Sequence, residues 1–176
     1  MTKRWLNLGS GEHRAPAPWV NLDVHEDESR GFCPDLLVDP ADPFAMIDGP
    51  AERIYVGHML EHTPWPTVPR VLAQVRDALA PGGEVLVTGP DVFRSIQLWH
   101  TDELPWDMLA LILEHADLGT PEWPQESHWW NCHEARVERA LSTAGFTTRC
   151  IEDPTRLDGW PVVGWAGWQC AVLGVR

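Results

Sequence analysis

Short apolar runs separated by polar, turn-forming segments set the pattern of this chain. Arg4 to Leu8 and Trp19 to Val24 read as two strands, and Asp35 to Val38 as a shorter third. Arg53 to Gly57 and the β-branched run Glu84 to Thr88 read as the fourth and fifth. Between these last two, Val68, Val71, Leu72, Val75 and Leu79 recur at helical spacing, and Pro69 is tolerated in a first turn. Pro81-Gly82-Gly83 then stops the helix. A strand, a helix and a strand in that order predict a parallel pair with a right-handed crossover.

Trp106 to Ala116 reads as a helix, and Asp117 to Asn131 as a loop rich in Pro, Trp and acids. Asn131, with Glu134 three residues later, predicts a capping box for a helix that ends near Gly145. Thr147 to Glu152 and Gly167 to Val175 read as the closing strands. The chain has 176 residues, which fits a single domain over 1–176.

The stretch from Leu8 to Asp23 departs from this regularity. An apolar strand runs into Gly9-Ser10-Gly11, and the next strand ends in Asp23, 14 residues after Gly9. This is the outline of a nucleotide-binding βαβ unit. A dinucleotide fingerprint would add a third glycine and place its acid about 20 residues on. Pro16 and Pro18 leave room for at most one turn of helix between Glu12 and Ala15. One sheet face is therefore expected to be thinly covered there, with either a second copy in a homodimer or the Trp-rich second half lying over it.

Charge narrows the ligand. The formal net charge is −13, which disfavours nucleic acid and anionic membranes, because both select basic surfaces. No apolar run approaches the ~20 residues of a membrane span, and the chain reads as cytoplasmic. Glu12 stands where a pyrophosphate would bind, so a ligand with a cationic centre fits better. Asp23 can accept hydrogen bonds from ribose hydroxyls. Cys33, Cys132, Cys150 and Cys170 form no C-x-x-C pair and are expected as free thiols. His128, Cys132 and His133 cluster in sequence without a standard zinc spacing, and no metal is expected there. Eight of the eleven tryptophans, Trp99 onward, fall in the second half and could wall an acceptor pocket.

The segments LNLGSG, NLDV, DLLVDPADPF, IYVGHMLEH, LAPGGEVLVTGPD and HEARVERALSTAGF follow in order. This set resembles the class I S-adenosylmethionine-dependent methyltransferases, in particular the small methyltransferase-type-11 kind. The resemblance implies an α/β, Rossmann-like sandwich. Its mostly parallel sheet would have about seven strands, an antiparallel C-terminal strand and a truncated first crossover helix. The implied cofactor is S-adenosyl-L-methionine.

The resemblance also assigns roles. Asn7, Leu8, Gly9, Ser10 and Gly11 form the approach and the glycine loop beside the methionine part of the cofactor. Asp23 holds the ribose, and Val24 flanks the adenine. Asp35 with Leu36, or else Asp39, takes the acid-plus-apolar adenine position. Gly57, His58 and Met59 lie near the sulfonium, and Glu61 and His62 complete a Leu-Glu-His signature. His58 and His62 are the candidate bases, with Asp91 a third. The insert 93–130 carries acceptor specificity, and its acids and aromatics point to a small-molecule or glycan acceptor. Two alternatives remain at this stage: a cofactor-binding partner subunit without activity, and a nicotinamide oxidoreductase.

Overall fold

The computed structural model of the chain describes residues 4–114, 128–162 and 165–176. Seven strands form one sheet in the order β3-β2-β1-β4-β5-β7-β6. They are β1 (Trp5–Leu8), β2 (Trp19–Asp23), β3 (Leu36–Leu37), β4 (Ala51–Gly57), β5 (Leu79–Pro90), β6 (Thr147–Cys150) and β7 (Gln169–Val175). The first five are parallel to one another, while β7 runs antiparallel between β5 and β6. The fold is the Rossmann-like α/β sheet expected from the sequence. Among the described residues no helix is long and apolar enough to cross a membrane.

Strand alternation divides the core into two faces. Leu6, Leu8, Leu22, Ile54, Val56, Val85, Val87 and Val172 pack with α1 (Val68–Ala78) and α4 (Glu134–Thr143) on one face. Trp19, Tyr55, Leu86, Ala171 and Leu173 point to the other face, where no helix follows β1. The Trp-rich second half covers it: Leu157, Trp160, Val162 and Trp165 pack there. Trp19 lies between Trp5 and Trp160, with ring centroids 5.4 and 5.6 Å apart. Its indole N–H donates to Gly159 O at 3.1 Å, and the Arg53 guanidinium sits over both Trp5 and Trp160. Gly159 has φ 74°, and a Cβ there would meet Arg53 at 3.0 Å and Trp5 at 3.2 Å, so only glycine fits this turn.

Side chains do the work of the missing first helix. The Asn21 carboxamide, 1% exposed, reads the backbone of Ala15 from both sides. Its Oδ1 accepts from Ala15 N at 2.7 Å and its Nδ2 donates to Ala15 O at 3.1 Å. Asn7 donates to Asn21 Oδ1 at 2.9 Å, and Asn21 donates to Asp35 Oδ2 at 2.8 Å. Asp35 also accepts from Asn21 N and pairs with Arg14. Partial burial pushes the Asp35 carboxyl up. The Asn21 donors and the Arg14 guanidinium outweigh that and hold it below its ordinary range. One amide thus imitates a neighbouring strand for a segment too proline-rich to form a helix.

Three elements differ from the sequence expectation. A helix the apolar pattern does not signal, α2 (Val92–His100), follows β5, with Asp91 as its N-cap accepting from Phe93 N and Arg94 N. The expected capping box of α4 is absent. His133 is its N-cap without a side-chain bond, and Asp91 Oδ2 instead accepts from Glu134 N at 3.0 Å. A local i,i+3 rule cannot anticipate a cap supplied from 43 residues away. Pro81-Gly82-Gly83 ends no helix directly, because α1 stops at Ala78 and Leu79 already pairs with Ala51 ahead of a register shift. The expected Trp106–Ala116 helix is present as α3 (Trp106–Glu114). Ala116 and most of the loop after it lie outside the described residues.

Candidate functional site

The parallel strands deliver their carboxyl ends to one edge, where a doubly wound sheet binds its ligands. Gly9, Asp23, Asp39 and Gly57 all stand at or just beyond these ends. Two shallow depressions, of about 290 and 310 Å³, open elsewhere; Glu52, Arg53 and Gly82–Glu84 line one, and Phe44, Ile47 and Asp77 the other. Neither touches any residue of this edge.

The glycine loop is tightly built. Gly9 and Gly11 have φ of 71° and 50°. A Cβ on Gly9 would lie 2.5 Å from Met59 Cγ, so the turn after β4 presses directly against the loop. Gly9 N and Ser10 N both donate to Leu22 O, at 2.8 and 3.1 Å. Gly11 N donates to Asp23 Oδ2 at 2.8 Å, and His25 N to Asp23 Oδ1 at 3.1 Å. The amides of this loop are therefore directed inward. The loop cannot cradle a phosphate as a dinucleotide fold does, since that use needs outward N–H groups. Each Asp23 oxygen accepts one backbone bond and keeps lone-pair capacity for a hydroxyl.

The other sequence-selected residues fall into two groups. Asn7 is buried in the scaffold beneath the loop, as is Leu8 in the core, and Ser10 is 4% exposed with its hydroxyl unpartnered. Val24 stands 52% exposed next to Asp23, an apolar surface at the open edge. Asp35 precedes β3 and is committed to Asn21 and Arg14, and Leu36 packs toward the core. Asp39 lies beyond the carboxyl end of β3, where its side chain accepts from Ala41 N at 2.7 Å. Of the two acids that competed for one role, only Asp39 stands on the edge that Asp23 occupies.

The turn after β4 holds a buried acid–imidazole pair. Gly57 gives room to Tyr55, whose ring would collide with a Cβ at 2.5 Å and whose hydroxyl bonds Thr88 Oγ1 at 2.8 Å. His58 has φ 50°, a conformation uncommon outside glycine that marks a held geometry. Its Nε2 lies 2.7 Å from Gln169 Nε2, and its Nδ1 lies 3.2 Å from Glu61 Oε1. Gln169 Oε1 accepts from Ala166 N at 2.9 Å, which fixes the amide orientation. Gln169 Nε2 is then the donor and His58 Nε2 the acceptor, so the neutral imidazole carries its proton on Nδ1, facing Glu61.

Glu61 is fully buried, and neither carboxylate oxygen has an aligned hydrogen-bond donor; the His58 contact is an ion-pair distance only. Burial pushes its carboxyl up. His58 and His62 outweigh that and hold it below the ordinary range. Asp91 is not free for proton transfer, because its oxygens cap both α2 and α4.

His62 sits beside His128 with ring centroids 4.9 Å apart, and its Nδ1 is buried without a partner. Cys132 and His133, grouped with His128 in sequence, do not join it. The Cys132 thiol interacts with Cys170 and is raised well above its ordinary value by that contact, by burial and by nearby carboxylates. Sequence reasoning did not assign roles to Gln169 and His128 because each is remote in sequence from the turn it meets. The one local signal was Glu61, a charge directly after the buried Leu60.

The fold of this chain is similar to that of solved methyltransferases. A SAM-dependent methyltransferase from Archaeoglobus fulgidus matches over 99% of this chain and 86% of that one, with 13% identity and a TM-score of 0.61. The plantazolicin methyltransferase BamL, solved with a triazolic desmethylPZN analog and SAH, matches over 98% of this chain and 76% of that one, with 7% identity and a TM-score of 0.59. The pyocyanin biosynthetic protein PhzM matches over 99% of this chain with 13% identity and a TM-score of 0.56, but the chain spans only 50% of its length. No family model and no curated protein matches the sequence.

Proposed function

We propose, on the premise of a class I S-adenosylmethionine-dependent methyltransferase fold, that the chain binds S-adenosyl-L-methionine and transfers its methyl group to a small-molecule or glycan acceptor. One observation carries the reading: the loop after β1 turns its N–H groups inward while Asp23 waits at the end of β2. That arrangement suits a ribose and a cationic methionine head, and it disfavours a nicotinamide dinucleotide. In this reading Gly9 and Gly11 line the methionine part, Asp23 takes the ribose hydroxyls, Val24 flanks the adenine and Asp39 stands nearest to it. Met59 and His58 lie toward the sulfonium.

Methyl transfer needs alignment and, for an oxygen or nitrogen acceptor, removal of a proton. His58 is the base this geometry supports, with the Glu61 carboxylate an ion-pair partner 3.2 Å from its Nδ1 and Nε2 available once the Gln169 amide swings aside. Phe93, Trp99, Trp106 and Trp129 are exposed apolar surfaces on or beside the insert, fit for a ring or sugar face. The acidity of the chain supports a neutral or cationic acceptor over nucleic acid.

The experiment is calorimetric titration with S-adenosylhomocysteine. Asp23→Ala is expected to weaken binding by about tenfold, ~1.4 kcal/mol; an unchanged affinity removes Asp23 from the site. A second reading, cofactor binding without turnover, draws on the His58 lone pair being engaged by Gln169. Binding with no methyl transfer across acceptor classes would favour it.

A further inference from the structure

We propose that Glu61, His62 and His128 form a binding site for a single divalent transition cation of the zinc class. The three side chains each offer one donor atom, and these atoms lie within 4.8 Å of one another. Glu61 is 0% exposed, its oxygens accept no aligned hydrogen bond and His58 Nδ1 lies 3.2 Å from Oε1 as an ion-pair partner, while His62 Nδ1 is buried without a partner. A buried carboxylate without an aligned hydrogen bond, beside an unpartnered buried imidazole nitrogen, is costly. A cation between them removes both costs at once.

The frame is already set. Trp129 N donates to Glu61 O at 2.8 Å, and Trp130 Nε1 donates to Leu60 O and Thr63 O at 3.0 and 3.1 Å. Trp130 packs on Trp65, with centroids 4.8 Å apart, and the Arg136 guanidinium lies 3.9 Å over Trp65. The segment that carries His128 is thereby locked to the turn that carries Glu61 and His62. Ligand distances of about 2.0–2.2 Å to a metal require the three donors, now within 4.8 Å of one another, to converge by side-chain rotation.

Two nitrogens and one carboxylate oxygen select a borderline metal over calcium or magnesium, which take oxygen shells. Three protein ligands leave an open position for an oxygen donor. If the methyltransferase reading holds, that donor is a hydroxyl of the acceptor, brought to the turn that carries Met59 and the sulfonium.

The test is titration of chelator-treated protein with Co²⁺ and Zn²⁺, read by calorimetry and by the visible absorption of bound Co²⁺, with an S-adenosylhomocysteine titration run in parallel. Wild type is expected to bind about one cation per chain. His128→Ala should lower cation affinity by about tenfold or more, since even outer partners of metal ligands cost about 10–100-fold. Its nucleoside affinity should be retained. Should Glu61→Gln fail to fold, His128→Ala and His62→Ala still decide the matter. The site is disproved if wild type takes up no stoichiometric cation, or if the histidine variants bind Co²⁺ as wild type does. Nucleoside binding without cation uptake sinks the metal site alone, and the reverse sinks the cofactor reading alone.

Discussion

At the scale of single residues, the turn after β4 sets the His58 imidazole 3.2 Å from the buried Glu61 carboxylate. Gln169 fixes which imidazole nitrogen carries the proton, and that assignment is open to measurement. Long-range ¹H–¹⁵N spectra of the neutral protein should show His58 as the Nδ1–H tautomer. Gln169→Leu should return a substantial share of the Nε2–H form, the one usual for a free imidazole. An Nε2–H signal in wild type would contradict the hydrogen-bond direction. Part of this site could be read from the sequence, because glycines that need positive φ and an acid closing a strand are local signals. Gly9, Gly11 and Asp23 were legible for that reason. The Gln169 contact spans 111 residues, and no spacing rule reaches that far.

At the scale of elements, the strands were legible from their apolar runs and α1 from its 3.6-residue period. α2 was not. Its FRSIQLWH face mixes exposed aromatics with polar residues, and the informative mark was Asp91 immediately ahead of it. α4 was found for a reason the structure replaces, since its cap comes from Asp91 and not from its own first turn. The segment over residues 10–15 shows the clearest trade, a helix exchanged for one amide. Asn21→Leu removes the Asn7, Ala15 and Asp35 bonds together and strands buried donors on Asn7 and Ala15. At about 1–3 kcal/mol per orphaned group, the loss should reach about 3–5 kcal/mol. Urea unfolding should show this as a lower midpoint at an unchanged slope. A loss under about 1 kcal/mol would mean that the proline-rich segment holds itself.

At the scale of the whole molecule, coverage and charge dominate. The face foreseen as bare from the short crossover is covered by Trp160 and its neighbours. Which of the two covers would form was not legible, because it depends on an indole 141 residues from Trp19 in sequence. A formal net charge of −13 opposes compaction through self-repulsion, which added salt screens. Thermal melts are expected to rise between low and moderate sodium chloride, by about 2–4 °C for each kcal/mol recovered. A falling melting temperature would show instead that attractive ion pairs such as Arg94–Glu134 outweigh the repulsion.

The antiparallel β7 threads between β5 and β6 and begins at Gln169, the residue that reaches back to the turn after β4. As a ribosome extends the chain, the glycine loop and that turn emerge long before their final brace. A nascent chain therefore holds an unbraced imidazole, whose proton is fixed on one nitrogen only when the closing strand slots home.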